Sequence, residues 1–209
     1  MSENEESMES RLEQILNDAL IKATDTYSVP PQIIWVDNST IATLGNFSAS
    51  TGKAKAKKTF NVSALVAASL SNGTVLNYRA CLPEGKRRIL YVDTEQSRYH
   101  CHNVLARILK LAGLPTDMDN QNLDFIGLRE YTPAIRMEVI DYALAHNHGY
   151  GLVIIDGIRD LLLDINNAGE SVEVINKMME WSSKYDLHIH CVLHQNKGDN
   201  NVRGHIGTE

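Results

Sequence analysis

From residue 60 onward, four short apolar runs alternate with four segments of helical period, and this alternation constrains the chain more than any other feature. The runs are 88–92 (RILYV), 123–126 (LDFI), 152–155 (LVII) and 187–193 (LHIHCVL). The third is apolar at every position, as a strand buried on both faces of a parallel sheet must be. Before the first run and between the others lie helical segments at 60–71, 97–111, 132–146 and 170–185. Asn72-Gly73 and Gly113-Leu114-Pro115 supply stop signals, and Thr132-Pro133 reads as a cap followed by a first helical residue. Strands alternating with helices predict an α/β fold: a mostly parallel central sheet flanked by helices.

Upstream the pattern is different. The first ten residues are acidic and polar and read as disordered or as a frayed helix start. Leu12, Ile15, Leu16, Ala19, Leu20 and Ala23 then fall on one helical face, and Val29-Pro30-Pro31 ends that helix. This short N-terminal helix is expected to pack on the core or on a neighbouring subunit. Residues 33–36 read as a strand, 37–39 as a turn and 40–47 as a second strand. The division expected is therefore an acidic tail and helix at 1–31 and a core at 32–209. With 209 residues, 43% of them hydrophobic, the chain can bury a real core, and no apolar run approaches the ~18–20 residues of a membrane span. Three scattered cysteines without a CxxC indicate neither a disulfide framework nor a zinc ribbon, which favours a reducing, cytoplasmic setting. A net charge of −6 argues against a wholly basic nucleic-acid coat but leaves room for a local basic groove.

The segment 50–60, STGKAKAKKTF, is expected to follow an apolar strand and to open a helix, which is where free N–H groups and a helix N-terminus attract phosphate. Aligned to GxxxxGK[ST], it begins at Gly52, runs through Lys53, Ala54, Lys55 and Ala56, and reaches Lys57, Lys58, Thr59 and Phe60. Lys58 is then the residue for the β- and γ-phosphates and Thr59 the Mg²⁺ ligand. Lys57 occupies the place of the second glycine, which normally permits close backbone approach. The alternative reading of the same residues is a solvated basic turn.

Three strand ends carry polar groups in the order a nucleotide site needs. Asp93 and Glu95 follow 88–92, on the ligand side of such a sheet, where Glu95 can orient and deprotonate an attacking water. Asp156 follows 152–155, the position for the acid that holds the Mg²⁺ water shell. His194, Gln195, Asn196 and Lys197 follow 187–193, where they can sense a γ-phosphate.

With these segments SGKAKxKKTF-like, LYVDTEQS, LVIIDGIRDL and HQNK…RGHIGTE, the chain resembles the RecA-like P-loop ATPases of the hexameric replicative-helicase type. It is close to the plasmid RepA group and to AAA-family ATPases of Bacteroidetes mobile elements, over about residue 33 to the C-terminus. The resemblance implies a RecA-like P-loop fold, with C-terminal strands of that fold expected to be missing after Glu209. It implies ATP and Mg²⁺ as cofactors, Lys58 and Thr59 as the phosphate-loop pair, Glu95 as catalytic glutamate and Asp156 as the Mg²⁺ aspartate. His194 matches the polar sensor, with Gln195 one register away. Arg203, in the tail 196–209, falls where the family carries a nucleic-acid loop and is a candidate for DNA contact or for reaching a neighbour's nucleotide. A homo-oligomer, hexameric if the core is complete, and single-stranded DNA are the implied partners. The expected function is Mg²⁺-dependent ATP hydrolysis coupled to DNA. The competing reading is a nucleotide-binding scaffold or a partitioning-type ATPase with little turnover, the latter because Lys53 lies five residues before Lys58.

Other constellations carry less. The clusters at 100–102 (His100, Cys101, His102) and 188–194 lack zinc-ligand spacing and read as core or edge histidines. Ser48 and Ser50 have no nearby His/Asp arrangement that suggests a nucleophile. Lys86-Arg87-Arg88 reads as a solvated turn.

Overall fold

A computed structural model describes residues 3–52, 57–162 and 168–194. Its elements in chain order are α1 (Glu3–Ala19), β1 (Gln32–Val36), β2 (Ser39–Thr43), β3 (Phe47–Gly52), α2 (Lys58–Ser71), β4 (Thr74–Val75) and β5 (Tyr78–Ala80). Then follow β6 (Arg88–Asp93), α3 (Arg98–Leu111), β7 (Leu123–Gly127), α4 (Pro133–His146), β8 (Tyr150–Asp156), a single 3-10 turn (Ile158–Leu161), α5 (Ala168–Lys184) and β9 (His188–His194).

Five strands form a parallel sheet in the order β3-β9-β8-β6-β7. Every residue of β8 is buried, which is why LVII shows no alternation. The two-residue period is visible in where the side chains go. Ile89 and Tyr91 of β6 and Leu152 and Ile154 of β8 face one core, built with α2 and α3. Leu90 and Val92, with Val153 and Ile155, face the other, built with α4 and α5 around Trp181. Each fully buried aliphatic side chain contributes about 1.5–3 kcal/mol, so the sheet is held from both faces. A five-stranded parallel sheet flanked by helices is consistent with the RecA-like P-loop fold the resemblance implied. Thr132 caps α4 as its sequence indicated, its hydroxyl accepting from the Ile135 N–H with Pro133 next in line.

The N-terminal third corrects several expectations. The stretch 40–47 is not one strand. Gly45, at φ +74°, breaks it, so β2 ends at Thr43 and β3 begins at Phe47. β1 and β2 join β4 and β5 in a separate four-stranded antiparallel sheet, ordered β2-β1-β5-β4. The sequence reading did not find β4 and β5, since two- and three-residue strands leave almost no periodicity. This sheet buries Ile33, Ile34, Ala42 and Ala80 against α2. Nor does β3 read as apolar; it is FSASTG, with exposed and half-buried positions in turn. α1 begins at Glu3, earlier than expected, and ends at Ala19. It does not pack on the core: Met8, Leu12, Ile15 and Leu16 are each more than half exposed. The 86–88 turn is structural as well as solvated: Lys86 Nζ donates to the Tyr185 carbonyl at 2.6 Å, and Arg88 pairs with Asp124 at 2.6 Å.

Candidate nucleotide site

The parallel register brings the carboxyl ends of β3, β6, β8 and β9 to one end of the sheet. Asp93 of β6 lies opposite Asp156 of β8, and Gly52 of β3 lies opposite His194 of β9. Asp93 is fully buried and its carboxylate is consumed by the turn that follows. Oδ1 accepts from the backbone N–H groups of Glu95 (3.0 Å) and Gln96 (2.7 Å), and Oδ2 accepts from Gln96 Nε2 at 2.7 Å. A short acidic side chain that binds backbone N–H groups two and three residues on reverses the chain. Here it presents Glu95 at the surface.

Thr94 stitches that turn to the end of β8. Its N–H donates to the Asp156 carbonyl at 3.1 Å. Its hydroxyl lies 2.9 Å from both the Gly157 carbonyl and Asp160 Oδ2. Gly157 adopts φ +105°, and a Cβ placed there would stand 2.1 Å from Thr94 Oγ1. Glycine is therefore required twice over, by backbone conformation and by space. Asp156 is itself buried. Its Oδ2 accepts from the Tyr91 hydroxyl at 2.9 Å, and Tyr91 stacks on Phe125. Burial pushes the Asp156 carboxyl up to about 6, and the Asp93 and Glu95 carboxylates push the same way. The Tyr91 hydrogen bond and the Lys58 ammonium oppose them.

Lys58 opens α2 and is largely buried, with Nζ donating to the Gly52 carbonyl at 2.7 Å. Burial lowers its pKa, while the charges of Glu95 and Asp156 raise it. Lys57 is exposed and sits at the N-cap of α2 with φ 56°, ψ 28°, the left-handed region that glycine occupies at little cost. Thr59 follows half-buried and Phe60 exposed. Lys53, Ala54, Lys55 and Ala56 lie outside the described residues, as do Gln195, Lys197 and Arg203; His194 ends β9, but its side chain is not among those described. The structure thus brings Lys58, Glu95 and Asp156 together. Asp93, Tyr91, Thr94 and Gly157 are the supporting residues that sequence reasoning did not assign. Two of them had a legible signal: the Asp-Thr-Glu order of a turn after a strand, and the Asp-Gly pair after β8.

The serines of β3 each touch a histidine of β9, and among the described residues no Asp joins these contacts to make a His/Asp arrangement. Ser48 Oγ is 2.8 Å from His188 Nε2 and 2.8 Å from His190 Nδ1, and Ser50 Oγ is 2.8 Å from His190 Nε2. His188 Nδ1 lies 2.9 Å from the Thr43 carbonyl, which can only accept, so that nitrogen carries the proton. The polarity of the chain then follows: Ser48 donates to His188, His190 Nδ1–H donates to Ser48, and Ser50 donates to His190. Burial holds both imidazoles down to about 4. They are neutral core groups joining β3 to β9, as the sequence reading of core or edge histidines has it.

A metal ion held by protein alone needs several converging ligands, and the described residues contain no group of three or more His, Cys, Asp or Glu able to do this. Mg²⁺ on a nucleotide needs only one or two protein oxygens beside the phosphates. Asp156, a buried carboxylate crowded by Asp93 and Glu95, suits that requirement: a cation would relieve the repulsion. No helix among the described residues is long and apolar enough to cross a membrane. A family model described as an AAA domain matches residues 9–200. No curated protein matches the chain.

Proposed function

The chain belongs to the AAA domain family, and we propose that it binds and hydrolyses ATP with Mg²⁺ at the carboxyl ends of β3, β6 and β8. The supporting observation is the burial of Lys58 where Glu95 and Asp156 both act on its charge. In this reading the loop from Gly52 through Lys57 wraps the triphosphate, and Lys58 exchanges the Gly52 carbonyl for phosphate oxygens. Thr59 and Asp156 hold Mg²⁺, which neutralises phosphate charge when bound. Glu95, set by the Asp93 turn, orients the attacking water and takes its proton. His194, with Gln195 as the alternative, senses the γ-phosphate. The contribution of the protein is positioning and electrostatics more than covalent chemistry.

AAA domains often oligomerise, and we read this one as a homo-oligomer of the RepA-like helicase type. Its turnover is coupled to single-stranded DNA through Lys197 and Arg203, in replication or mobilisation of a mobile element. The competing reading is a nucleotide-binding scaffold with little turnover, which the left-handed Lys57 at the glycine position favours. ATP binding and steady-state hydrolysis, with and without single-stranded DNA, test both. Lys58→Ala is expected to abolish binding. Glu95→Gln is expected to keep binding and lose most turnover, because orienting water matters only in the transition state. DNA-stimulated turnover supports the motor. Tight binding without turnover replaces it with the scaffold, and unchanged ATP affinity in Lys58→Ala removes the site itself.

A further inference from the structure

We propose that Tyr91 is the positioning residue of the Mg²⁺ site: its hydroxyl anchors one oxygen of Asp156 so that the other is presented to the metal. The inference rests on the ATP- and Mg²⁺-binding reading of this site and adds to it the residue that sets metal affinity.

Two buried acids face each other at the carboxyl end of the sheet, Asp93 on β6 and Asp156 on β8. Their oxygens are used differently. Both Asp93 oxygens are occupied, Oδ1 by the N–H groups of Glu95 and Gln96 and Oδ2 by Gln96 Nε2. Asp156 is divided. Its Oδ2 accepts from the Tyr91 hydroxyl at 2.9 Å, and among the described residues its Oδ1 accepts no hydrogen bond. Mg²⁺ on a nucleotide takes only one or two protein oxygens and keeps several waters. A carboxylate with one oxygen fixed and one open suits that requirement.

A buried tyrosine usually finds some acceptor for its hydroxyl, and that alone assigns no role. Tyr91 differs in how firmly it is held and in what it holds. It is fully buried, and its ring lies flat on Phe125, with centroids 4.4 Å apart and planes 8° apart. Tyr91 pairs in register with Ile154, and Asp93 with Asp156. Tyr91 and Asp156 are thus diagonal neighbours on one face, and the tyrosine reaches along the strands from the core to the carboxylate. The last torsion of an aspartate is broad, so a carboxylate without an anchor turns readily. The hydroxyl stops that rotation. Outer-shell partners of this kind are worth about 10–100-fold in metal affinity.

The test is the affinity of a non-hydrolysable ATP analogue for the full chain, by titration calorimetry at pH 8, with Mg²⁺ and with a chelator in its place. By linkage, the ratio of the two affinities scales with the affinity of the protein–nucleotide complex for Mg²⁺. The parent is expected to bind more tightly with Mg²⁺. Tyr91→Phe keeps the ring and its stack on Phe125. It is expected to bind within about 2-fold of the parent in chelator and to lose about 10–100-fold of the Mg²⁺ advantage. Tyr150→Phe is the control for lost stability. It removes a hydroxyl that donates to Asp124 Oδ2 at the opposite end of β8, and it is expected to leave the ratio unchanged. Asp156→Asn is expected to lose the advantage by itself. Adding Tyr91→Phe to it should change the ratio by less than about 2-fold, since the hydroxyl acts only through that carboxylate. A Tyr91→Phe ratio equal to the parent's, an equal loss in Tyr150→Phe, or independent effects of Tyr91→Phe and Asp156→Asn would each overturn the proposal and leave the nucleotide site standing. A parent that binds equally with and without Mg²⁺ overturns it too and keeps only the nucleotide. A parent that binds no analogue removes the site and the proposal together.

Discussion

Taking the protein from pH 7 to pH 5 is expected to cost about 2 kcal/mol of folding stability, and two opposing groups set that figure. His188 and His190 are held down to about 4 in the fold, against an unfolded value of 6.5. Between those values the unfolded chain binds more protons, so this contribution is complete above about pH 6.5 and is lost as pH falls toward 4. At pH 5 each histidine accounts for a loss of about 2 kcal/mol, or about 4 for the pair if they titrate independently. Asp156 works the other way. Its folded pKa of about 6 lies above the unfolded 3.8, so its ionisation destabilises the fold at neutral pH, and protonation returns about 1 kcal/mol by pH 5. The net is a loss of about 2–3 kcal/mol, a large share of a total stability of about 5–15. Urea unfolding at half-unit steps measures it. Because His190→Gln disturbs the serine contacts at every pH, the slope is the diagnostic and the absolute stability is not. The variant is expected to lose about 2 kcal/mol of the pH-dependent change and to lie nearly flat between pH 7 and 5. A parent whose stability is constant or rises on acidification would refute the buried, neutral histidine pair.

Three further outcomes follow from the site. Gly157→Ala combines φ +105° with a Cβ 2.1 Å from Thr94 Oγ1; calorimetry should show a loss of at least about 3 kcal/mol, and a drop of less than about 3 °C in Tm would contradict the described turn. Lys57→Gly relieves a left-handed side chain worth about 1 kcal/mol and restores similar entropy to the unfolded chain, so stability should move by less than about 1 kcal/mol. ATP affinity, by titration calorimetry, should hold or improve; its loss would place Lys57 in the phosphate site. Tyr91→Phe removes the hydrogen bond to Asp156 Oδ2, so stability should fall by about 1–2 kcal/mol at pH 8 and by less at pH 5, where the carboxyl is protonated. Equal losses at both values would point to packing alone.

The parallel sheet was legible because burial on both faces forces whole runs such as LVII to be apolar, and helix signals such as Thr132-Pro133 act over two or three residues. The antiparallel sheet was not, because β4 and β5 are too short for a period and Gly45 interrupts what reads as one strand. At the site, Lys58, Glu95 and Asp156 sit at strand or helix ends that the pattern locates. Their supports depend on neighbours across the sheet: Tyr91 reaches Asp156 from sixty-five residues away, and Ser48 reaches His188 from one hundred and forty. A linear reading sees those serines and histidines as separate residues; only the β3–β9 register makes them one chain of hydrogen bonds.

The Thr94 stitch has a consequence for motion. Because its N–H and hydroxyl both engage the 156–160 turn, the segments bearing Glu95 and Asp156 cannot shift independently without breaking buried hydrogen bonds. They form a fixed jaw. The amides of Thr94, Glu95 and Gln96 should then exchange with deuterium as slowly as those of the strand core, by global opening. Lys58 faces that jaw from α2, its ammonium donating to the Gly52 carbonyl, a contact that a phosphate oxygen can replace.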